Sequence, residues 1–220
     1  MTPRPVRRAI LAAMRPVIVF DLDGTLVDSL PDILSSFLVA FESQGLPAPH
    51  ADAVRATIGQ PLDAMYAAFA PEDRVDALCR TYRAHYAEHL ADRSRPFPGV
   101  PELLALLHGR GYLCAVASTK RTRTARELVQ ATGLDRLLDH VEGSDDAPYK
   151  PAPDVVLRAV GAVGGRGVWM VGDTAGDIHA GRAAGLKTYA VTWGTQGADQ
   201  LAKAAPDRLE ADLSALGTLV

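Results

Sequence analysis

The hexapeptide DLDGTL at residues 21–26 follows directly on the apolar run Val17, Ile18, Val19 and Phe20. A short β-branched and aromatic run of this kind suits a strand buried on both faces. Asp21 and Asp23 are costly neighbours at the end of such a strand. At ~4 Å and an effective dielectric near ~20, two anions repel by roughly 4 kcal/mol. A cation or a shared proton is therefore expected beside them, which points to a metal-assisted active site. Taken alone, the same string also suits a loop in which Asp21 caps a helix and Gly24-Thr25 turns the chain.

Further apolar runs with strand character cover 112–117, 168–171 and 188–191, with a weaker one at 140–142, and helical patterns over 101–108, 122–132, 153–163 and 175–184 separate them. Alternation of this length implies right-handed crossovers and a doubly wound parallel α/β sheet, Rossmann-like in its winding. Ligands in such sheets bind at the carboxyl ends of the strands, near the point where strand order reverses. Residues 28–95 break the alternation. Ile33, Phe37 and Phe41 form one stripe of an amphipathic helix, a second helix is expected near 51–58, and Pro61 and Pro71 open two more. An inserted all-helical cap is the expected result, leaving the core after the first strand and returning near 97–100. The predicted division is an N-terminal extension over 1–15, a core of 16–27 and 96–220, and a cap of 28–95.

With 220 residues, 48% of them hydrophobic and 22% charged, the chain can bury a proper core. Its net charge of −3 comes with no basic stripe, so no nucleic-acid partner is expected. The two cysteines, Cys79 and Cys114, fall in a helical and a strand segment, which suits a reducing compartment rather than a disulfide framework. Arg4, Arg7 and Arg8 precede an apolar stretch that Arg15 interrupts, so no export signal is read and a cytoplasmic protein without a membrane partner is expected. Residues 1–13 are assigned no function. Monomer and homodimer are both compatible with the sequence.

Three further polar clusters follow strands or short loops. Ser118, Thr119 and Lys120 come directly after the second apolar run and offer a hydroxyl and free amides to an anion, although a helix cap would explain Ser118 alone. Lys150 is held before Pro151-Ala152-Pro153, where a solvated loop lysine is the plainer alternative. It is one of only four lysines in the chain. In GDTAGD, at 172–177, Asp173 ends a strand and Asp177 follows one helical turn later. Four carboxylates, Asp21, Asp23, Asp173 and Asp177, thus gather with a hydroxyl and a lysine. An oxygen-only ligand set without His or Cys favours magnesium over zinc.

In this order the motifs resemble those of the haloacid dehalogenase superfamily of phosphatases with a helical, C1-type cap. The strings FDLDGTLVDSLPDI, GDTAGDIHAGRAAG and VTWG are most similar to the phosphoglycolate phosphatase group. The resemblance implies that Asp21 is the nucleophile forming an aspartyl-phosphate and Asp23 the general acid/base. It implies that magnesium is held by Asp21, the Asp23 main-chain carbonyl and Asp173 with Asp177 in support, and that Ser118, Thr119 and Lys150 bind phosphate. Thr119 departs from the Asn common among relatives. The implied substrate is a small phosphorylated metabolite, 2-phosphoglycolate first, with pyrophosphate and small sugar phosphates as alternatives.

Neighbouring chemistries fit less well. Dehalogenases lack an acid at the Asp23 position, and phosphonate-cleaving relatives need a cap lysine where residues 28–95 contain none. Relatives resembling β-phosphoglucomutase carry His twelve residues after the nucleophile and an Arg in the cap loop. Here Ile33 and the Arg-free loop Ile58-Gly59-Gln60-Pro61-Leu62 stand in those places. A receiver-type phosphoacceptor domain also carries an aspartyl-phosphate, a Ser/Thr and a Lys on a doubly wound sheet, but such domains are much shorter and lack both an acid/base at the Asp23 position and a cap. Gly59 and Gln60 are candidates for touching substrate, against a plain helix-helix turn. His85 and His89, four apart, lack an evident third metal ligand.

Overall fold

The computed structural model describes residues 14–219. The chain runs through β1 (Pro16–Phe20), β2 (Val27–Asp28), α1 (Leu30–Ser43), α2 (Ala51–Arg55), α3 (Leu62–Ala67), α4 (Glu72–His89) and β3 (Arg95–Pro96). Helices and strands then alternate as α5 (Val100–Gly109), β4 (Leu113–Ala117), α6 (Thr122–Ala131), β5 (His140–Glu142), α7 (Asp154–Ala162), β6 (Arg166–Gly172), α8 (Ala175–Ala183), β7 (Lys187–Val191), α9 (Ala198–Lys203), β8 (Arg208–Glu210) and α10 (Ser214–Leu219).

Six of the strands form a parallel sheet in the order β5-β4-β1-β6-β7-β8, the doubly wound arrangement that the alternation implies. The order reverses around β1. Ile18 lies opposite Cys114 on one side and Trp169 on the other. Because side chains alternate across a strand, Val17 and Val19 pack with Leu113, Ala115 and Met170 against α7, whereas Ile18 and Phe20 pack with Val116 and Val171 on the opposite face. The four side chains from Val17 to Phe20 are fully buried, which is why the strand reads as a continuous apolar run.

The second layer of packing joins the sheet to the helices of the insert without a break. Phe37 on α1 stacks on Tyr66 of α3 at 4.1 Å, and Phe41 tilts against the same ring at 5.7 Å. Such ring pairs add about 0.5–1.5 kcal/mol beyond the area they bury. Pro31 stands in the first turn of α1, where its missing N–H costs nothing.

The two connections of the insert are knitted together. Val27 and Asp28 pair antiparallel with Pro96 and Arg95, a two-stranded ribbon where no strand was expected. Beside it, the Asp32 carboxylate accepts hydrogen bonds from the Arg93 and Ser94 amides, at 2.9 and 2.8 Å, and from the Ser94 hydroxyl at 2.8 Å. The Arg93 guanidinium adds another at 3.2 Å.

Other boundaries differ from expectation. The second core strand begins at Leu113 rather than 112, and β6 extends beyond 168–171 to Arg166–Gly172. Arg15, placed by sequence in the N-terminal extension, belongs to the core: its carbonyl accepts the Arg166 amide at 2.8 Å and its guanidinium donates to the Gly111 and Tyr112 carbonyls. The segment 1–13 lies outside the described residues. Edge strand β8, with α9 and α10, was not foreseen. Among the described residues no helix is long and apolar enough to cross a membrane.

Burial works against the Asp32 anion, but the donors from Arg93 and Ser94 outweigh it and hold its carboxyl below the ordinary value. A depressed folded pKa contributes stability that is full above the unfolded value and is lost as pH falls through the folded one. Asp32→Asn is therefore expected to cost about 1.5–3 kcal/mol at pH 7. Chemical denaturation should show that difference shrinking once the pH drops below about 4.

Candidate active site

Asp21, Ser118 and Asp173 lie at the carboxyl ends of the central strands β1, β4 and β6, whereas Lys150 lies in the segment after the edge strand β5 and Asp177 in the first turn of α8. Asp21 follows β1, and its amide donates to the Val171 carbonyl at 2.8 Å, which fixes the strand end against β6. Ser118 follows β4, and Asp173 follows β6. Asp177 occupies the third position of α8, where it forms a reciprocal capping box with Thr174.

Asp21, Asp173 and Asp177 are buried and present carboxylate oxygens within 4.8 Å of one another, forming the sole cluster of at least three acidic, His or Cys side chains with that spacing among the described residues. At that separation each pair of anions repels by about 3 kcal/mol for an effective dielectric near ~20. Lys150 is the first answer to this charge. Its ammonium donates to Asp21 Oδ1 at 2.7 Å, to Asp177 Oδ1 at 2.5 Å and to the Ala117 carbonyl at 3.1 Å. Burial opposes the charged amine, yet Asp177 and Asp21 more than compensate and raise its pKa.

The carboxylates divide according to their partners. Both Asp177 oxygens are taken, Oδ1 by Lys150 and Oδ2 by the Thr174 amide at 3.0 Å and its hydroxyl at 2.6 Å. Asp177 thus anchors the lysine. Asp173 is oriented by the Thr25 hydroxyl at 2.8 Å and the Thr195 amide at 2.7 Å. Gly194 is required beside it, because a Cβ there would collide with the Asp173 side chain and the Gly24 carbonyl. Burial, then Asp177, push the Asp173 carboxyl up to about 6 against those two donors. The Asp21 carboxyl is also raised, by burial first and by Asp177, Asp173 and Asp23 in turn, with Lys150 opposing.

Asp23 stands apart from this triad. Its Oδ1 accepts from the Ser29 hydroxyl and, at 2.7 Å, from Lys120. With all four of Asp21, Asp23, Asp173 and Asp177 ionised, two negative charges would remain after Lys120 and Lys150 are counted, an excess that one divalent cation would balance. The donors are all oxygen, so the set fits a hard ion such as magnesium.

Ser118 is fully buried; its hydroxyl accepts the Lys120 amide at 3.1 Å. A chamber of about 280 Å³ separates the strand ends from the helical insert, and Asp21, Asp23, Ile33, Gly59, Gln60 and Thr119 are among its walls. Gly59 and Gln60 are therefore brought to the acidic pair. With φ at +97°, Gly59 comes so close that a Cβ would stand 3.2 Å from the Thr174 methyl. His85 and His89 are engaged elsewhere: His85 Nδ1 lies 2.9 Å from Ser36 Oγ and His89 Nδ1 2.8 Å from Asp92.

Sequence reasoning passed over several groups that shape the site. Lys120 carried a signal, as one of four lysines beside Ser118, but its pairing with Asp23 depends on a contact across 97 residues. Thr25 reads from sequence as a turn residue, and Ser29 carries no signal that would place its hydroxyl on Asp23. The Thr195 amide has no sequence signature at all.

Comparison with known proteins agrees with this geometry. A family model described as "Haloacid dehalogenase-like hydrolase" matches residues 18–191. The chain is 39% identical over 202 residues to the probable phosphatase IndB of Dickeya dadantii, covering 88% of both chains. It is 36% identical over 195 residues to the pyrophosphatase PpaX of Halalkalibacterium halodurans, covering 86% of this chain and 89% of the other. The crystal structure of a predicted phosphoglycolate phosphatase from Haemophilus somnus 129pt superposes with a TM-score of 0.83 at 30% identity, covering 92% of this chain and 96% of that one.

Removing Lys150 leaves buried carboxylates facing one another. Lys150→Met is expected to lose about 3–5 kcal/mol of stability in EDTA. Adding Asp177→Asn should restore part of that loss, and guanidinium denaturation of the single and double variants measures it.

Proposed function

The chain belongs to the haloacid dehalogenase-like hydrolase family, and from that premise we propose that it is a magnesium-dependent phosphatase that hydrolyses a small phosphate monoester through an aspartyl-phosphate on Asp21. The observation that carries this reading is the division of the two carboxylates of DLDGTL between different cations. Asp21 is held by Lys150 through Oδ1, and Asp23 by Lys120. A nucleophile and a proton carrier need such separate settings.

In the first half-reaction an Asp21 oxygen attacks phosphorus in line. The bond from phosphorus to the ester oxygen breaks, and Asp23 gives its proton to the departing alkoxide. In the second, the Asp23 carboxylate takes a proton from water, the resulting hydroxide attacks the aspartyl-phosphate, and the Asp21 carboxylate leaves with release of phosphate. Asp21, Asp173 and the Asp23 main-chain carbonyl would hold magnesium, with Asp177 in support, and the ion when bound supplies neutralisation of the phosphoryl charge. Lys150 and Ser118 supply the same stabilisation from the protein side, joined by the Thr119 amide.

Mutase chemistry is disfavoured by Ile33, a buried apolar side chain in the chamber wall where a His would be needed. 2-Phosphoglycolate is the substrate that the resemblance implies. Pyrophosphate is supported by one relative's name. Cys79 and Cys114 are free and buried, which suits a reducing cytoplasm.

Asp21→Asn is expected to abolish phosphate release while leaving the circular-dichroism spectrum unchanged; substantial residual turnover would remove the nucleophile assignment. Asp23→Asn should slow both formation and hydrolysis of the phosphoenzyme by roughly 10²–10⁴-fold in rapid-quench experiments. EDTA should abolish steady-state activity, and magnesium should restore it. Turnover that persists in the chelator contradicts the metal assignment.

A further inference from the structure

The chamber above Asp21 has an unusual distribution of charge. Its inner wall, supplied by the insert, includes Ile33, Ile58, Met65, Cys79, Tyr82 and Tyr86, all buried. The one cation of the lining that is not exposed is Lys120, half-buried, and its ammonium is already 2.7 Å from Asp23 Oδ1 and 4.8 Å above the Tyr86 ring. The other charged side chains that line the insert side or the rim are Arg83 and Arg121 with Asp63 and Asp76, two of each sign and all exposed. A substrate reaching past the phosphoryl site therefore meets hydrocarbon and aromatic surface before it meets an uncommitted charge.

Tyr86 adds a polar feature to that wall. Its hydroxyl is buried and has no hydrogen-bond partner. A buried hydroxyl left unpaired is costly, and Tyr86 lines the chamber beside Asp23, Lys120 and Tyr82. The chamber volume of about 280 Å³ lies at the small end of ligand sites, enough for a compact ester and too little for a polymer end.

We propose that this chamber selects phosphate monoesters whose leaving group is uncharged and carries an apolar face, that Tyr86 hydrogen-bonds a hydroxyl or carbonyl on that group, and that a second anion is rejected. The inference rests on the reading of Asp21 and Asp23 as a phosphatase pair. A carboxylate or second phosphate attached to the ester would have to shed water against Ile33 and Tyr82 or take Lys120 from Asp23, and neither exchange is favourable. An alcohol of the same size loses little water and finds the Tyr86 hydroxyl.

The test compares kcat/KM of the full chain, with magnesium, for four compounds. 2-Hydroxyethyl phosphate and 2-phosphoglycolate are near-isosteric and differ in the second charge; benzyl phosphate is apolar without a hydroxyl; pyrophosphate carries a second phosphate. The two esters with uncharged leaving groups are expected to exceed both 2-phosphoglycolate and pyrophosphate by at least ~10-fold. In Tyr86→Phe, which keeps the ring, the ratio of kcat/KM for 2-hydroxyethyl phosphate over benzyl phosphate should fall roughly fivefold. A preference for 2-phosphoglycolate or pyrophosphate overturns the proposal while leaving the phosphatase reading intact, and an unchanged ratio in Tyr86→Phe overturns the role given to that hydroxyl. Phosphate release from none of the four would overturn the phosphatase reading itself, and this inference with it.

Discussion

The ammonium of Lys150, bonded at once to Asp21, Asp177 and the carbonyl that ends β4, is the contact on which the site depends. It joins three strand ends that the topology has already brought side by side. Burial of several carboxylates at one sheet edge would otherwise be strongly unfavourable, since each pair within 4.8 Å repels by about 3 kcal/mol at an effective dielectric near ~20. A buried pair of this sort adds little net stability over an apolar replacement. What it provides is position: Asp21 is held through one oxygen, and Asp177 is held twice, by the lysine and by the N-terminus of α8.

A second cation governs the junction with the helical insert. Lys120 leaves the loop after β4, bonds Asp23 and lies over Tyr86 of α4. Ser29, immediately before α1, bonds the same Asp23 oxygen. Asp23 is thus set by a residue from the core and one from the start of the insert, while Asp32 fastens the two connections together one turn along α1. The geometry of the acid/base candidate is in this way tied to the placement of the insert, and the Gly59 turn runs near enough to Thr174 that an added Cβ would press on its methyl, which brings the far end of the insert beside the motif that carries Asp173 and Asp177.

How much of this was legible in the sequence follows from where each interaction leaves a residue-type signature. β1 was plain because every side chain in Val17 to Phe20 is buried, and the carboxylates were plain because a buried strand end rarely tolerates them. The reversal of strand order at β1, and hence the meeting of Asp21 with Asp173, followed from the alternation of helix and strand. β8 was missed because its three residues, Arg208, Leu209 and Glu210, form an edge strand without an apolar pattern. The ribbon of β2 and β3 was missed for a similar reason: a two-residue pairing closed by Pro96 has no periodicity to detect. The Thr195 amide on Asp173 was beyond reach because a main-chain donor is the same in every residue, and only the collision that any side chain at Gly194 would cause hints at it. Arg15 was assigned to the wrong side of the boundary because its role is to pair backbone and guanidinium with distant carbonyls, which charge alone does not reveal.

The same distribution of charge bears on why hydrolysis is favoured over phosphoryl transfer back to a sugar. A mutase must hold a substrate with two phosphates, one at the nucleophile and one at the distant end of the chamber, and then exchange their places. Such a site needs cations at both ends. Here the strand ends carry Lys150 and Lys120, each committed to a carboxylate, whereas the opposite wall presents Ile33, Ile58 and Met65. A second phosphate would be desolvated against that wall, because the arginines that line the chamber, Arg83 and Arg121, are exposed rather than part of it. Water meets no such barrier, being small and neutral, and Asp23 stands where it could receive a proton from it. The apolar wall proposed to limit the leaving group to uncharged chemistry would also leave water as the acceptor for a phosphoryl group on Asp21.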